Sequence, residues 1–309
     1  MRVIRSLSGI GLLLVCVVSW SSRSPEVLAA QQPQPSPPAG QPLNIIAFGA
    51  HPDDCDIRAA GVAAKWAAAG HHVRFVAVTN GDAGHQTQGG GALASRRRAE
   101  AQEAGKRVGV EYIVLDNHDG ELLPDLRVRE QIIRQIRLWK ADLVLSPRPN
   151  DYHPDHRYTG VLLQDAAFMV TVPNVASDTP ALRKNPVFMY FEDTFKKPAP
   201  FTPDVAVSID DTFEKKIDML DAHVSQVYEW LPWLAGRLEE VPTDKAARRQ
   251  WLTKERAGQI SPAVREALAK YYGKDAAAKV QHAEAFEICE YGRRPDDADI
   301  RRLFPFFGK

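Results

Sequence analysis

The chain is expected to be an α/β protein with a mainly parallel sheet, because from residue 43 onward short apolar runs alternate with helical stretches. Two loops sharpen that expectation. Ala50-His51-Pro52-Asp53-Asp54 follows the apolar run at 43–48, and His153-Pro154-Asp155-His156 follows the run at 143–146. In open parallel sheets, sites form where loops leave the carboxyl ends of strands, and both loops stand in that position.

Residues 1–30 read as an export signal, with Arg2 and Arg5, an apolar run at 10–20, and Ala29-Ala30 before Gln31. The apolar run is shorter than the about 20 residues a membrane span requires. Cleavage, leaving no span and a periplasmic or extracellular protein, is therefore the expectation, with an uncleaved anchor as the other reading. Val15 before Cys16 is bulkier than lipidation would require. Residues 31–42, rich in Pro and Gln, read as an extended linker.

The main domain is expected over 43–235. Residues 43–48 read as a strand, 57–69 as an Ala-rich helix closed by Gly70, and 72–79 as an alternating strand containing Val73, Val76 and Val78. The stretch 80–94, with Gly81, Gly84, Gly89, Gly90 and Gly91, is expected to lack regular structure and to overhang the site edge as a mobile loop. A charged helix at 95–108, a strand at 112–115, a helix at 128–139 and a strand at 143–146 follow. Further strands are expected at 187–191 and 205–209, and a long helix at 211–231 capped by Asp210 or Asp211. Residues 236–309 are expected to form a helical C-terminal extension packed on the same domain, with Phe304, Phe306 and Phe307 turned inward.

Composition excludes several classes. The 309 residues are 44% hydrophobic, which suits one large domain with an extension. Residues 1–30 carry a net +2 in a chain that sums to zero, so the exported protein is near −2. That balance gives no electrostatic case for nucleic acid or an anionic membrane as partner. Export would leave only Cys55 and Cys289, too few for a disulfide framework, and the sequence does not show whether they meet.

The two His-containing loops together supply His51, His153 and His156 with Asp53, Asp54 and Asp155. Imidazole and carboxylate are ligands that zinc and similar divalent ions accept, and a catalytic site needs three of them plus an open position for water. The expected ligands are His51, Asp54 and His156, with Asp53 and His153 unligated beside them. Such an ion acidifies water and polarises a carbonyl, so Asp53 would act as general base and His153 as oxyanion stabiliser or proton donor. Asp155 reads equally as the partner orienting a ligand His or as a helix N-cap. The glycine fingerprint for dinucleotide phosphates is absent after the first strand, which speaks against nucleotide binding.

These motifs resemble the PIG-L (LmbE-like) family of metal-dependent de-N-acetylases, which carry Ala-His-Pro-Asp-Asp and a distant His-Pro-Asp-His. Three more stretches are similar: Thr79-Asn80-Gly81-Asp82-Ala83-Gly84, Arg97-x-x-Glu100, and Ala222-His223-Val224-Ser225-Gln226. The resemblance implies a Rossmann-like three-layer sandwich, a zinc ion, and removal of acetyl from an N-acetylated amino sugar or related glycoconjugate. It also implies that Arg97, Asp82 and His223 lie where substrate binds, with Arg96 and Arg98 leaving the alignment of Arg97 open by one. Where family members often carry Glu and a Gly-rich helix start, this chain has Cys55-Asp56-Ile57-Arg58, which puts an Arg near the mouth of the site. Cys55 as a fourth ligand and His85 as a substrate contact are further readings. Export points to an extracytoplasmic glycan substrate; a different amide, such as a thiol conjugate, and a catalytically silent binding protein are the rivals.

Overall fold

A computed structural model describes residues 40–307; the export signal expected at 1–30 and residues 31–39 of the expected linker lie outside the described residues. A seven-stranded sheet runs in the order β3-β2-β1-β4-β5-β7-β6. Its strands are β1 (Asn44–Gly49), β2 (His72–Ala77), β3 (Glu111–Val114), β4 (Leu143–Ser146), β5 (Val187–Phe191), β6 (Val205–Ser208) and β7 (Ala283–Ile288). β1 to β5 pair in parallel, and β7 runs antiparallel to both its neighbours. The helices are α1 (Asp54–Ala68), α2 (Gly90–Val108), α3 (Leu126–Trp139), α4 (Pro154–Met169), α5 (Phe213–Ala222), α6 (Leu231–Leu234), α7 (Lys245–Arg256), α8 (Pro262–Tyr272), α9 (Lys274–Lys279) and α10 (Asp297–Leu303).

Three layers follow from the period of two along each strand. In β1, Ile45 and Ala47 join a core with Ala59, Trp66, Ala101 and Ile217 from α1, α2 and α5. Ile46 and Phe48 join another with Ile132, Ile136 and Leu162 from α3 and α4. Strands buried on both faces need apolar residues at every position, which is why they read as continuous apolar runs. This is the mainly parallel Rossmann-like sandwich expected, and the order of strands reverses between β1 and β4. Such a reversal opens a crevice at the carboxyl ends of those two strands.

Several local expectations are corrected. The stretch 80–94 is not wholly irregular, since α2 begins at Gly90. The long helix expected at 211–231 breaks at His223 (φ −82°, ψ 58°), after which Ser225–Trp230 is π-helical. Neither Asp210 nor Asp211 caps α5; Thr212 takes that position, because Asp210 accepts the N–H groups of Gln281 and His282 while Asp211 pairs with Lys65.

The C-terminal segment contains the expected helices but also β7, which inserts between β5 and β6. Residues 43–235 and 236–309 therefore share one sheet. β7 was hidden in the sequence by Glu284, a buried carboxylate that accepts from the N–H groups of Gly61 and Val62 and pairs with Lys216. The terminal aromatics pack as expected: Phe304 is fully buried and Trp66 donates to the Leu303 carbonyl at 2.7 Å. Cys55 and Cys289 are both free and buried, in different cores, so they form no bridge and Cys55 is a packing residue. Among the described residues no helix is long and apolar enough to cross a membrane.

Candidate metal centre and cleft

Gly49 ends β1, and the loop after it folds back so tightly that a Cβ there would lie 2.6 Å from that of Asp54. The fold-back lets Asp54 Oδ2 accept the His51 backbone N–H at 2.8 Å and places Asp54 at the first residue of α1. A carboxylate is favoured there by the helix dipole. Across the crevice, His153 is the N-cap of α4, Pro154 its first residue, and His156 lies in its first turn.

The loops converge. His51 Nδ1 is 3.2 Å from His156 Nε2 and 3.5 Å from Asp54 Oδ2, and His156 Nε2 is 3.4 Å from Asp54 Oδ1. Tetrahedral ligands at about 2.0–2.1 Å from a zinc ion stand about 3.3 Å apart, so the three side chains fit an ion. Two other triads also converge: His51, His153 and His156, and His51, Asp119 and Asp155, each with donor atoms within 4.8 Å. The triangle that includes Asp54 joins two imidazoles to one carboxylate, which turns Oδ2 toward His51 and Oδ1 toward His156, and it leaves Asp119 and Asp155 free to hold the outer nitrogen of His51.

The outer nitrogens are held by carboxylates. His51 Nε2 faces Asp119 Oδ1 at 3.0 Å and Asp155 Oδ2 at 3.3 Å, and His156 Nδ1 faces Asp151 Oδ1 at 3.1 Å. Asp155 is fully buried and also accepts from the N–H groups of Gly120 and Leu122, so it orients a His, and the N-cap is His153 instead. Such partners fix the ring tautomer and raise ligand basicity.

Asp53 is held by Arg97, whose Nη2 lies 3.2 Å from its Oδ1 while Nη1 donates to the Gly81 carbonyl and reaches Asp119 Oδ2 at 3.5 Å. Gly81 (φ +72°) admits this, for any Cβ there would strike the guanidinium. Asp53 itself has φ 155° and ψ −20°, a strained geometry for a residue with a Cβ. His153 Nδ1 accepts the Asp155 N–H at 3.2 Å, which leaves the proton of the neutral ring on Nε2.

The charges shape each other. Burial raises the Asp53 pKa, and Arg97 opposes that rise only in part. Burial would raise Asp54 and Asp119 too, but His156 and His51 pull Asp54 well below its usual range, and His51 draws Asp119 down to about 2. Burial would lower the imidazoles of His51 and His156; instead Asp119, Asp155 and Asp54 push His51 up, and Asp54 with Asp151 pushes His156 up to about 9. His153 goes down through burial and the charges of His51 and His156.

A cleft of about 580 Å³ opens over this cluster, with His51, Asp53, Asp54, His153 and His156 in its lining. Arg97 lines the cleft as well, but it is 2% exposed and committed to Asp53 and Asp119, so it positions carboxylates and has no free face for substrate. Two expected substrate contacts are corrected. Asp82 lies outside the lining, accepting from the Asp119 N–H and pairing with His118. His223 is fully buried, 3.2 Å from Asp56, whose other oxygen accepts from Tyr112. His85 likewise turns away from the cleft to pair with Glu229.

Asp119 and Asp151 went unread in the sequence. Asp119 stands in Asn117-His118-Asp119-Gly120, just past β3, a third loop at the same sheet edge; Asp151 precedes His153 by two residues.

Residues 46–167 match the family described as GlcNAc-PI de-N-acetylase, PIG-L. Among solved structures, N,N'-diacetylchitobiose deacetylase from Pyrococcus horikoshii is similar at 25% identity and a TM-score of 0.59, covering 80% of this chain and 84% of that one. A conserved protein from Thermus thermophilus is similar at 20% identity and a TM-score of 0.59, covering 82% and 98%. The 4-carboxy-2-hydroxymuconate hydratase from Pseudomonas putida is 19% identical with a TM-score of 0.59, covering 82% and 99%. One fold thus carries a deacetylase and a hydratase, and the reaction has to be argued from the site.

Proposed function

We propose that this chain, which carries a PIG-L family domain at residues 46–167, is a metal-dependent de-N-acetylase that hydrolyses the acetamide of an N-acetylated amino sugar or glycoconjugate. The observation that carries the reading is the convergence of the His51, Asp54 and His156 donor atoms to 3.2–3.5 Å beside an unligated carboxylate, Asp53, and an unligated imidazole, His153. Similarity to the chitobiose deacetylase supports the choice of an acetamide.

His51, Asp54 and His156 would hold the ion, with zinc the first choice and iron or cobalt also compatible with the ligand set. When bound, a divalent ion supplies Lewis acidity, acidifying water and polarising the amide carbonyl. Asp119 and Asp155 keep the His51 proton on Nε2, which leaves Nδ1 as the nitrogen that would hold an ion; Asp151 keeps the His156 proton on Nδ1 and leaves its Nε2 for the same role.

Asp53 accepts a proton from the attacking water. Its raised pKa makes it a stronger base than a solvated carboxylate, and Arg97 fixes its direction. His153 presents Nε2–H to the carbonyl oxygen as negative charge develops there. As the C–N bond breaks, the nitrogen takes the proton that Asp53 accepted from water and leaves as the free amine, with acetate as the other product and Asp53 restored as carboxylate. Export, resting on the N-terminal pattern at 1–30, would place the substrate among extracytoplasmic glycans or cell-wall fragments.

The test is acetate release from a panel of N-acetylated sugars and chito-oligosaccharides. Release that a chelator stops and added zinc restores supports the reading. Metal-loaded protein that releases acetate from no member of the panel would turn it toward another amide.

A further inference from the structure

Four arginines line the cleft, and their bonding divides them into two pairs. Arg97 is spent on Asp53, Asp119 and the Gly81 carbonyl. Arg148 is spent on Asp193, with two contacts of 2.6 Å, and on the carbonyls of Ala199 and Phe195. The side chains of Arg58, on α1, and Arg256, at the end of α7, make no hydrogen bond or ion pair among the described residues, and Arg256 Nε is buried without a partner.

The two free guanidiniums are close enough for Arg58 to oppose the charge of Arg256. Two like charges without carboxylate partners on one cleft wall repel each other, and an anion bound between them would relieve that repulsion. The acids whose charge reaches them are Glu192 at Arg58 and Asp53 with Glu255 at Arg256; none pairs with either arginine, since burial favours the neutral form of Glu192, Arg97 holds Asp53 and Arg237 holds Glu255. A side pocket of about 170 Å³ shares Glu192 and Arg256 with the cleft, and its other charged groups are already engaged: Lys216 with Glu284, His282 with Asp210.

Guanidinium groups without protein partners, Arg256 half-buried and Arg58 open to solvent, match a carboxylate or a phosphate, whose oxygens accept in a bidentate manner. We propose that Arg58 and Arg256 form an anion-binding subsite, so that the substrate is an N-acetylated sugar bearing a carboxylate or phosphate group near its acetamide. The inference rests on the de-N-acetylase reading for the acetamide, while the anion subsite stands on the arginines themselves. Arg256 comes from the C-terminal segment and Arg58 from α1, so the subsite is assembled only when that segment is packed in place.

The test compares N-acetylglucosamine, N-acetylmuramic acid and N-acetylglucosamine 6-phosphate, reading both equilibrium binding to the metal-loaded full chain and acetate release. The acidic sugars should bind at least tenfold more tightly than the neutral one, with the carboxylate and phosphate arms showing which anion is preferred. In Arg58→Gln and Arg256→Gln the acidic-to-neutral ratio in binding and in kcat/KM should fall at least tenfold. Raising ionic strength should lower the same ratio in the unaltered protein, which tests the idea even if a variant folds poorly. Equal binding of acidic and neutral sugars, or a ratio that salt and both substitutions leave unchanged, would overturn the subsite. Acidic sugars that bind through the arginines but release no acetate would overturn the de-N-acetylase reading and leave the subsite standing.

Discussion

Asp119 Oδ1 lies 3.0 Å from His51 Nε2, nearer than Asp155 Oδ2 at 3.3 Å, and the same Asp119 carboxylate reaches Arg97 through its other oxygen. One aspartate from the loop after β3 therefore ties a proposed ligand to the arginine that holds the proposed base. Substituting it tests how far the ligand depends on its outer partner. Asp119→Asn should weaken zinc binding by about 10- to 100-fold. Titration against a competing chelator measures this, and unchanged affinity would leave Asp155 as the residue that orients His51.

Arg97 should set the pH at which Asp53 works. Burial and Asp54 raise the Asp53 pKa while Arg97 lowers it. Arg97→Met removes the lowering influence, so the acidic limb of the kcat/KM profile should move to higher pH. Breaking the buried pair should also cost about 3–5 kcal/mol of stability. A limb that stays in place would separate Asp53 from the titration that governs turnover.

Asp53 should be needed for turnover and dispensable for the ion. Asp53→Ala should retain metal and lose about 10²- to 10⁴-fold in kcat, the range of a positioned base. Metal analysis of the variant decides the matter, since loss of the ion together with activity would move Asp53 into the ligand set.

His153 has two tasks that substitution can separate. Its Nδ1 caps α4 and its Nε2–H faces the reaction in the proposed mechanism. Asn is a good N-cap, so His153→Asn should keep the helix start and the metal while lowering kcat by about 10²-fold or more. His153→Ala should lose the cap as well, at a cost of about 1 kcal/mol. Equal kcat for His153→Asn and the unaltered protein would remove the imidazole from the chemistry.

Metal uptake should release protons. Burial alone would lower His156, but Asp54 and Asp151 raise it from 6.5 to about 9, and His51 is raised as well. Below pH 9 the chelated protein therefore holds protons that the ion must displace. Zinc affinity should rise with pH by about tenfold per unit for each proton released, and level off above about 9. The same shift stabilises the chelated fold fully below 6.5 and fades as pH rises through about 9, a pattern visible in its thermal unfolding. Calorimetry in buffers of different ionisation enthalpy counts the protons, and a pH-independent affinity would contradict the ligand set.

The strands of the parallel half were legible because burial on both faces demands apolar residues at every position, as in Leu143–Ser146 and Val187–Phe191. β7 was not, since Glu284 serves as acceptor for two backbone N–H groups of α1 and interrupts the apolar pattern. The break at His223 was not legible either, because amphipathic spacing continues through it while His223 itself is buried against Asp56. The inner residues of the site were legible because two loops repeat His, Pro and Asp directly after strands. Asp119, Asp151 and Arg256 were not, because each acts through geometry that brings distant segments to one cleft.

The most direct test of the account measures metal content and acetate release on the same samples of the unaltered chain and of His156→Ala, with an N-acetylated sugar as substrate. The account predicts one ion per chain and acetate release in the former, both lost in the latter. Acetate release from a metal-free His156→Ala protein at the unaltered rate, or a fully metallated unaltered chain that releases none from any N-acetylated sugar, would contradict it.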